Sequence, residues 1–165
     1  MSTRRAARQR ALGLVYEMDM RDLPAEVVLG ELLDEIDVVR ARRLRDGGED
    51  LGVLLLEAPA ALDPYAYELV IGVDTDVAGL DELLDRYSQH WTVARMPVVD
   101  RALLRIATFE LRDGDLPAGV VISEAVELAK EYSTKDSGRF VNGLLARIAE
   151  EVRGRAGAAL PEAEA

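Results

Sequence analysis

Four arginines, Arg4, Arg5, Arg8 and Arg10, stand within the first ten residues with no acid among them. A guanidinium is a planar fork of donors that grips phosphate through two parallel charge-assisted hydrogen bonds and also stacks on bases. Arg4 and Arg8 are spaced to share one face of a helix. Cations in a first helical turn oppose the macrodipole at a cost of about 0.3–1 kcal/mol each, so helix stability does not account for their placement. Two readings do: a phosphate-binding helix, or a solvated terminus whose charge balances an acidic body.

Other chemistry is thin. The single histidine, His90, adjoins Trp91, and no cysteine is available, so a transition-metal site or a histidine-based triad lacks most of its parts. No phosphate-binding glycine loop, dinucleotide fingerprint or nucleophile elbow is present. Asp74, Asp76 and Asp85 occupy the first, third and twelfth places around Gly79 of a calcium-loop spacing, but the fifth place is Ala78 and the twelfth lacks the longer glutamate. The stretch reads better as a turn with Asp76 capping the helix that follows.

The elements that must position these residues are helices. Ala7, Ala11, Leu14, Val15 and Met18 give the arginine segment an apolar stripe that ends near Asp22-Leu23-Pro24. Val28, Leu29, Leu32, Leu33 and Ile36 make a second stripe. Tyr65, Leu69, Val70 and Val73, then Val77, Leu80, Leu83, Leu84 and Tyr87, belong to one bent helix or to two. Val99 to Leu111 forms another, with Thr92 near its cap, Pro97 before it and Asp113-Gly114 at its end. Val121, Ala125, Leu128 and Tyr132 follow at steps of four, three and four. Thr134 to Gly138 reads as a turn, and Phe140, Val141, Leu144, Leu145, Ile148 and Val152 mark a last helix. The fold class is therefore all-α, with one helical domain over 1–153. Within it 37–62, carrying Arg40, Arg42, Arg43 and Arg45 and then Val53 to Leu56, reads as an inserted surface loop or short helix pair. Residues 154–165 read as a disordered tail.

The 165 residues suit one compact domain, and the formal net charge of −11 at first argues against a nucleic-acid partner. That total conceals a division: the first ten residues carry +4 and the remainder −15. The absence of cysteine suits a reducing, cytoplasmic setting. Apolar runs fall far short of the roughly 20 residues that span a bilayer, so no membrane span is expected. Glu17 and Asp19 interrupt the first apolar run, which reads as mature structure rather than a signal peptide.

Three stretches in this order resemble the NusB family of bacterial transcription antitermination factors. They are Arg4-Arg5-Ala6-Ala7-Arg8-Gln9-Arg10-Ala11-Leu12 with Val15-Tyr16-Glu17; Val99-Asp100-Arg101-Ala102-Leu103-Leu104-Arg105-Ile106-Ala107 through Leu111; and Val121 to Lys130 followed by Asp136-Ser137 and Phe140-Val141-Asn142-Gly143-Leu144-Leu145. The resemblance implies two packed three-helix bundles with an extra helix, about seven helices in all, no enzymatic activity and no cofactor or metal. It implies binding to boxA-type single-stranded RNA of ribosomal RNA leader transcripts, jointly with the small-subunit ribosomal protein NusE, within an RNA polymerase antitermination complex. Carried over residue by residue, Arg4, Arg5, Arg8 and Tyr16 meet RNA from the first helix, and Asp136, Phe140 and Asn142 from a second segment. Phe140 fits either a base stack or the core. Asp136 is expected to cap the last helix, and Asn142 to bond backbone locally and hold a loop. Asp100 and Arg101 fall at the partner contact, although an acid in a first turn also suits the helix dipole.

The lengthened 37–62 segment departs from the family pattern and leaves a homodimer open. A helical protein-interaction module without RNA binding is the alternative function. A small helical enzyme is the weakest reading, since it needs a titratable group with a shifted pKa in a cleft.

Overall fold

The computed structural model describes residues 3–45, 63–89 and 91–157. His90, 46–62 and 158–165 lie outside the described residues, so most of the expected insertion and tail does too. Every regular element among the described residues is helical: α1 (Arg4–Arg21), α2 (Ala25–Arg45), α3 (Pro64–Thr75), α4 (Val77–Tyr87), a 3-10 turn (Val93–Arg95), α5 (Val98–Asp113), α6 (Ala118–Tyr132) and α7 (Lys135–Gly157). The chain is all-α. None of the described helices is long and apolar enough to cross a membrane.

The chain divides into two units, Met1–Asp74 and Thr75–Ala165. In the first, α1 packs on α2, and the expected stripe of Ala7, Ala11, Leu14, Val15 and Met18 is buried. Asp22 ends α1 in the left-handed region at φ 53, and the Leu23 amide donates to the Met18 carbonyl at 3.0 Å, a Schellman closure with aspartate at the position glycine usually takes. Among the described side chains of α2, Ala25 and Val28 are fully buried, while Leu33 remains 42% exposed beside an apolar cavity of about 270 Å³.

In the second unit α5, α6 and α7 pack mutually, and α4 lies on α5 and α7. Leu103, Leu104, Ile106, Leu111, Leu128, Leu144, Leu145 and Ile148 are essentially sealed from solvent. Each such burial contributes about 1.5–3 kcal/mol, which is how a chain without disulfides holds together. Arg105 on α5 forms a two-pronged ion pair with Asp81 on α4, at 2.8 and 2.7 Å.

One open choice is decided and two expectations change. The stretch 63–87 is two helices, separated where Asp76 caps α4 by accepting from the Gly79 amide at 3.1 Å. α2 continues through Arg45, so the start of 37–62 is helix rather than loop; no glycine or proline interrupts 31–45. α7 begins at Lys135 and runs to Gly157, which makes the expected turn its first helical turn and the start of the expected tail its last.

Candidate nucleic-acid interface

The N-terminal arginines are organised from the cap onward. Thr3 starts α1, its hydroxyl accepting from the Ala6 amide at 3.1 Å. Arg4 then lies over the Tyr65 ring, with its guanidinium carbon 4.4 Å from the centroid, and Arg8 over the same ring at 5.6 Å. The ring's negative face offsets charge that the helix dipole disfavours. Tyr65 is itself placed by Asp63, whose carboxylate accepts from the Tyr65 amide at 2.8 Å and the Ala66 amide at 3.3 Å at the start of α3. Arg4, Arg5 and Arg10 face solvent, whereas Arg8 is 4% exposed. Tyr16, 38% exposed, stands eleven residues beyond Arg5, close to three full turns, and so shares its face of α1.

In the second unit the first turns of α7 carry Asp136 and Asn142 exposed and Phe140 half-buried. Phe140 meets Trp91 edge-on, with ring centroids 5.4 Å apart and planes at 65°. The start of α7 also carries a hydroxyl cluster. Ser137 donates to the Asp100 carboxylate at 3.0 Å, and the Ser133 and Thr134 hydroxyls each lie 3.0 Å from the Ser137 oxygen. Because the Ser137 proton goes to an acceptor-only carboxylate, the other two hydroxyls donate to Ser137. Asp100 is 1% exposed and Ser137 6%. The cap of α7 is Thr134, which receives the Ser137 amide on its side chain at 3.3 Å. Arg101 turns back to the 3-10 segment and donates to the Val93 carbonyl at 3.3 Å.

The model of the NusB family matches residues 5–150, which takes in nearly all of α1 and the opening turns of α7. The chain belongs to the NusB family. It is 43% identical over 149 residues to the transcription antitermination protein NusB of Arthrobacter sp. (strain FB24), covering 90% of this chain and 93% of that one. It is 44% identical over 151 residues to the protein of the same name from Kineococcus radiotolerans, covering 91% and 95%. Among solved structures, T. maritima NusB superposes with a TM-score of 0.71 at 34% identity, covering 97% of this chain and 100% of that one. A second, described as antitermination factors NusB and NusE in complex with dsRNA, superposes at 0.61 with 23% identity over 90% and 96%, a likeness of fold.

Set against the NusB resemblance, the structure alters several residue roles. Asp100 was expected at the partner contact, but its burial against Ser137 removes it from the surface. Asp136 does not cap α7; Thr134 does, and Asp136 is an exposed acid in the first turn, where the dipole favours it. Asn142 sits on an exposed helical face rather than in a loop, and its side chain makes no hydrogen bond among the described residues. Arg8 faces Tyr65 instead of solvent, so it organises the arginine cluster from within. Asp76 and Asp85 are spoken for: Asp76 caps α4 and pairs with Arg112 at 2.8 Å, and Asp85 accepts from the Val93 amide at 2.7 Å.

Sequence reasoning missed Tyr65 as the ring under the arginines, Ser137 as the partner of Asp100, and Arg153. Arg153 donates to the Leu111, Glu110 and Gly114 carbonyls at 2.8, 3.0 and 3.2 Å and also to that of Leu116, closing the C-terminal end of α5. A basic side chain at a helix C-terminus satisfies orphan carbonyls and suits the dipole. No local signal marks it, because the carbonyls lie about forty residues away.

Proposed function

We propose that this chain acts in transcription antitermination by binding boxA-type single-stranded RNA of ribosomal RNA leader transcripts jointly with the ribosomal protein NusE, within an RNA polymerase complex in the cytoplasm. The observation that carries the reading is the NusB family match along 5–150, with relatives named as transcription antitermination proteins over nine-tenths of the chain. A NusB of the same fold was solved with NusE and double-stranded RNA, which supports the choice of partners. The chain is an adaptor and not an enzyme.

On this reading Arg4 and Arg5 meet phosphate from α1 and Tyr16 lies along the same face. Arg8 holds the cluster against Tyr65. Asp136, Phe140 and Asn142 contribute from α7: Asn142 offers an amide free to read a base edge, and Asp136 accepts from base amino groups rather than attracting phosphate. Arg101 and the acidic surface beyond the first ten residues receive the basic partner.

Titrating labelled boxA-type and scrambled single-stranded RNA with the chain, alone and with NusE, tests this. The boxA-type RNA binds more tightly, and NusE raises its affinity further. Equal and negligible binding of both RNAs in both conditions overturns the proposal and favours a protein-interaction module.

A further inference from the structure

Trp91 is the one tryptophan of the chain, and it is left 45% exposed at the edge of the second unit. Large rings normally bury most of their surface, and an exposed one braced edge-on by a second ring offers an apolar face that water solvates poorly. Its position is held from both sides. Ser88 donates to the Trp91 carbonyl, and the 3-10 turn that begins two residues later is anchored by Asp85 accepting from the Val93 amide at 2.7 Å. The edge-on contact with Phe140 fixes the ring against the first turns of α7. The same opening turns of α7 carry two exposed cations, Lys135 and Arg139, four residues apart, beside the exposed acid Asp136. An exposed ring for bases to stack on, with cations on the same segment to neutralise phosphates, is the combination that binds single-stranded nucleic acid.

We propose that Trp91 is an RNA-contacting residue that forms, with Phe140 edge-on against it, a stacking platform for an unpaired base of the RNA, and that Lys135 and Arg139 on the same turns of α7 meet phosphates of that strand. The proposal rests on the RNA-binding reading above and adds a residue outside all three of the family-like stretches. It also gives Phe140 a role that a core position does not, since its exposed part extends the platform.

The lone tryptophan is its own probe. BoxA-type single-stranded RNA added to the full chain quenches tryptophan emission, and the quench saturates at the midpoint that labelled-RNA anisotropy gives. Trp91→Ala weakens binding by about tenfold, within the range set by one lost stack, while Trp91→Phe retains most of the affinity. Helicity by circular dichroism accompanies each variant, and if Trp91→Ala is unfolded the quench of the unmodified chain decides alone. RNA binding by anisotropy with unchanged emission, or with unchanged affinity in folded Trp91→Ala, overturns the platform and leaves the RNA function standing. No RNA binding by anisotropy overturns both.

Discussion

At the scale of single residues, the chain separates cations that face solvent from groups that hold them in place. Arg4 and Arg5 remain in solvent, while Arg8, one turn further, is buried against Tyr65. The arginine spacing was legible in the sequence, because four residues on a helix define a face. The ring beneath was not, because nothing local ties residue 65 to residue 4. Asp100 shows the same limit more sharply. Read locally it is an acid in a first helical turn, which the dipole explains, yet it is 1% exposed and accepts from Ser137 on α7. Its worth is set by the cost of stranding a buried polar group. Asp100→Ala leaves the Ser137 hydroxyl without its acceptor and lowers the unfolding free energy by about 1–3 kcal/mol in a denaturant titration. Ser137→Ala, which strands a carboxylate instead, costs at least as much. A loss under about 0.5 kcal/mol for both contradicts the role assigned to this bond.

At the scale of elements, apolar periodicity located the helices well, and their ends were harder. Thr134 to Gly138 is rich in the residues that favour turns, and those same residues cap helices, so composition alone cannot tell a turn from a first helical turn. α2 outruns its apolar stripe because 37–45 keeps good helix formers such as Arg42, Arg43 and Leu44 without a breaker. The Asp76 cap was legible, since aspartate before an apolar stripe is a start signal. What the sequence left unseen is that a Cβ at Gly79 would fall 2.2 Å from the Asp76 carboxylate and push it aside. The Arg112 guanidinium, then the Gly79 amide, hold that carboxyl below its ordinary range. A depressed folded-state value means that the cap's contribution is present above the ordinary aspartate range and fades as pH falls through the lowered value. Gly79→Ala displaces the carboxylate from both partners. Thermal unfolding near neutral pH then shows a lower midpoint than the unmodified chain, and the gap narrows in acid. A gap that stays constant with pH contradicts this account of the cap.

At the scale of the whole molecule, net charge misleads until it is placed along the chain. A total of −11 suggests repulsion from phosphate, yet +4 of the charge lies on one short segment and −15 elsewhere. Such a division suits an adaptor with a basic side for RNA and an acidic side for a basic ribosomal protein. The all-α class and the NusB resemblance were both legible, because helical stripes and ordered motifs survive without tertiary information. The division into two units was legible only through that resemblance, since apolar stripes alone do not say which helices touch. The central claim is that arginines of α1 neutralise RNA phosphates, and the salt dependence of binding tests it most directly. With Arg4, Arg5 and Arg10 on a single strand, log affinity for boxA-type RNA falls against log salt with a slope of about −2 from α1 alone, steeper where Lys135 and Arg139 also engage, and Arg4→Ala with Arg5→Ala flattens it by about 1.4. A slope near zero, or a double variant that binds as tightly and as steeply as the unmodified chain, would contradict the claim.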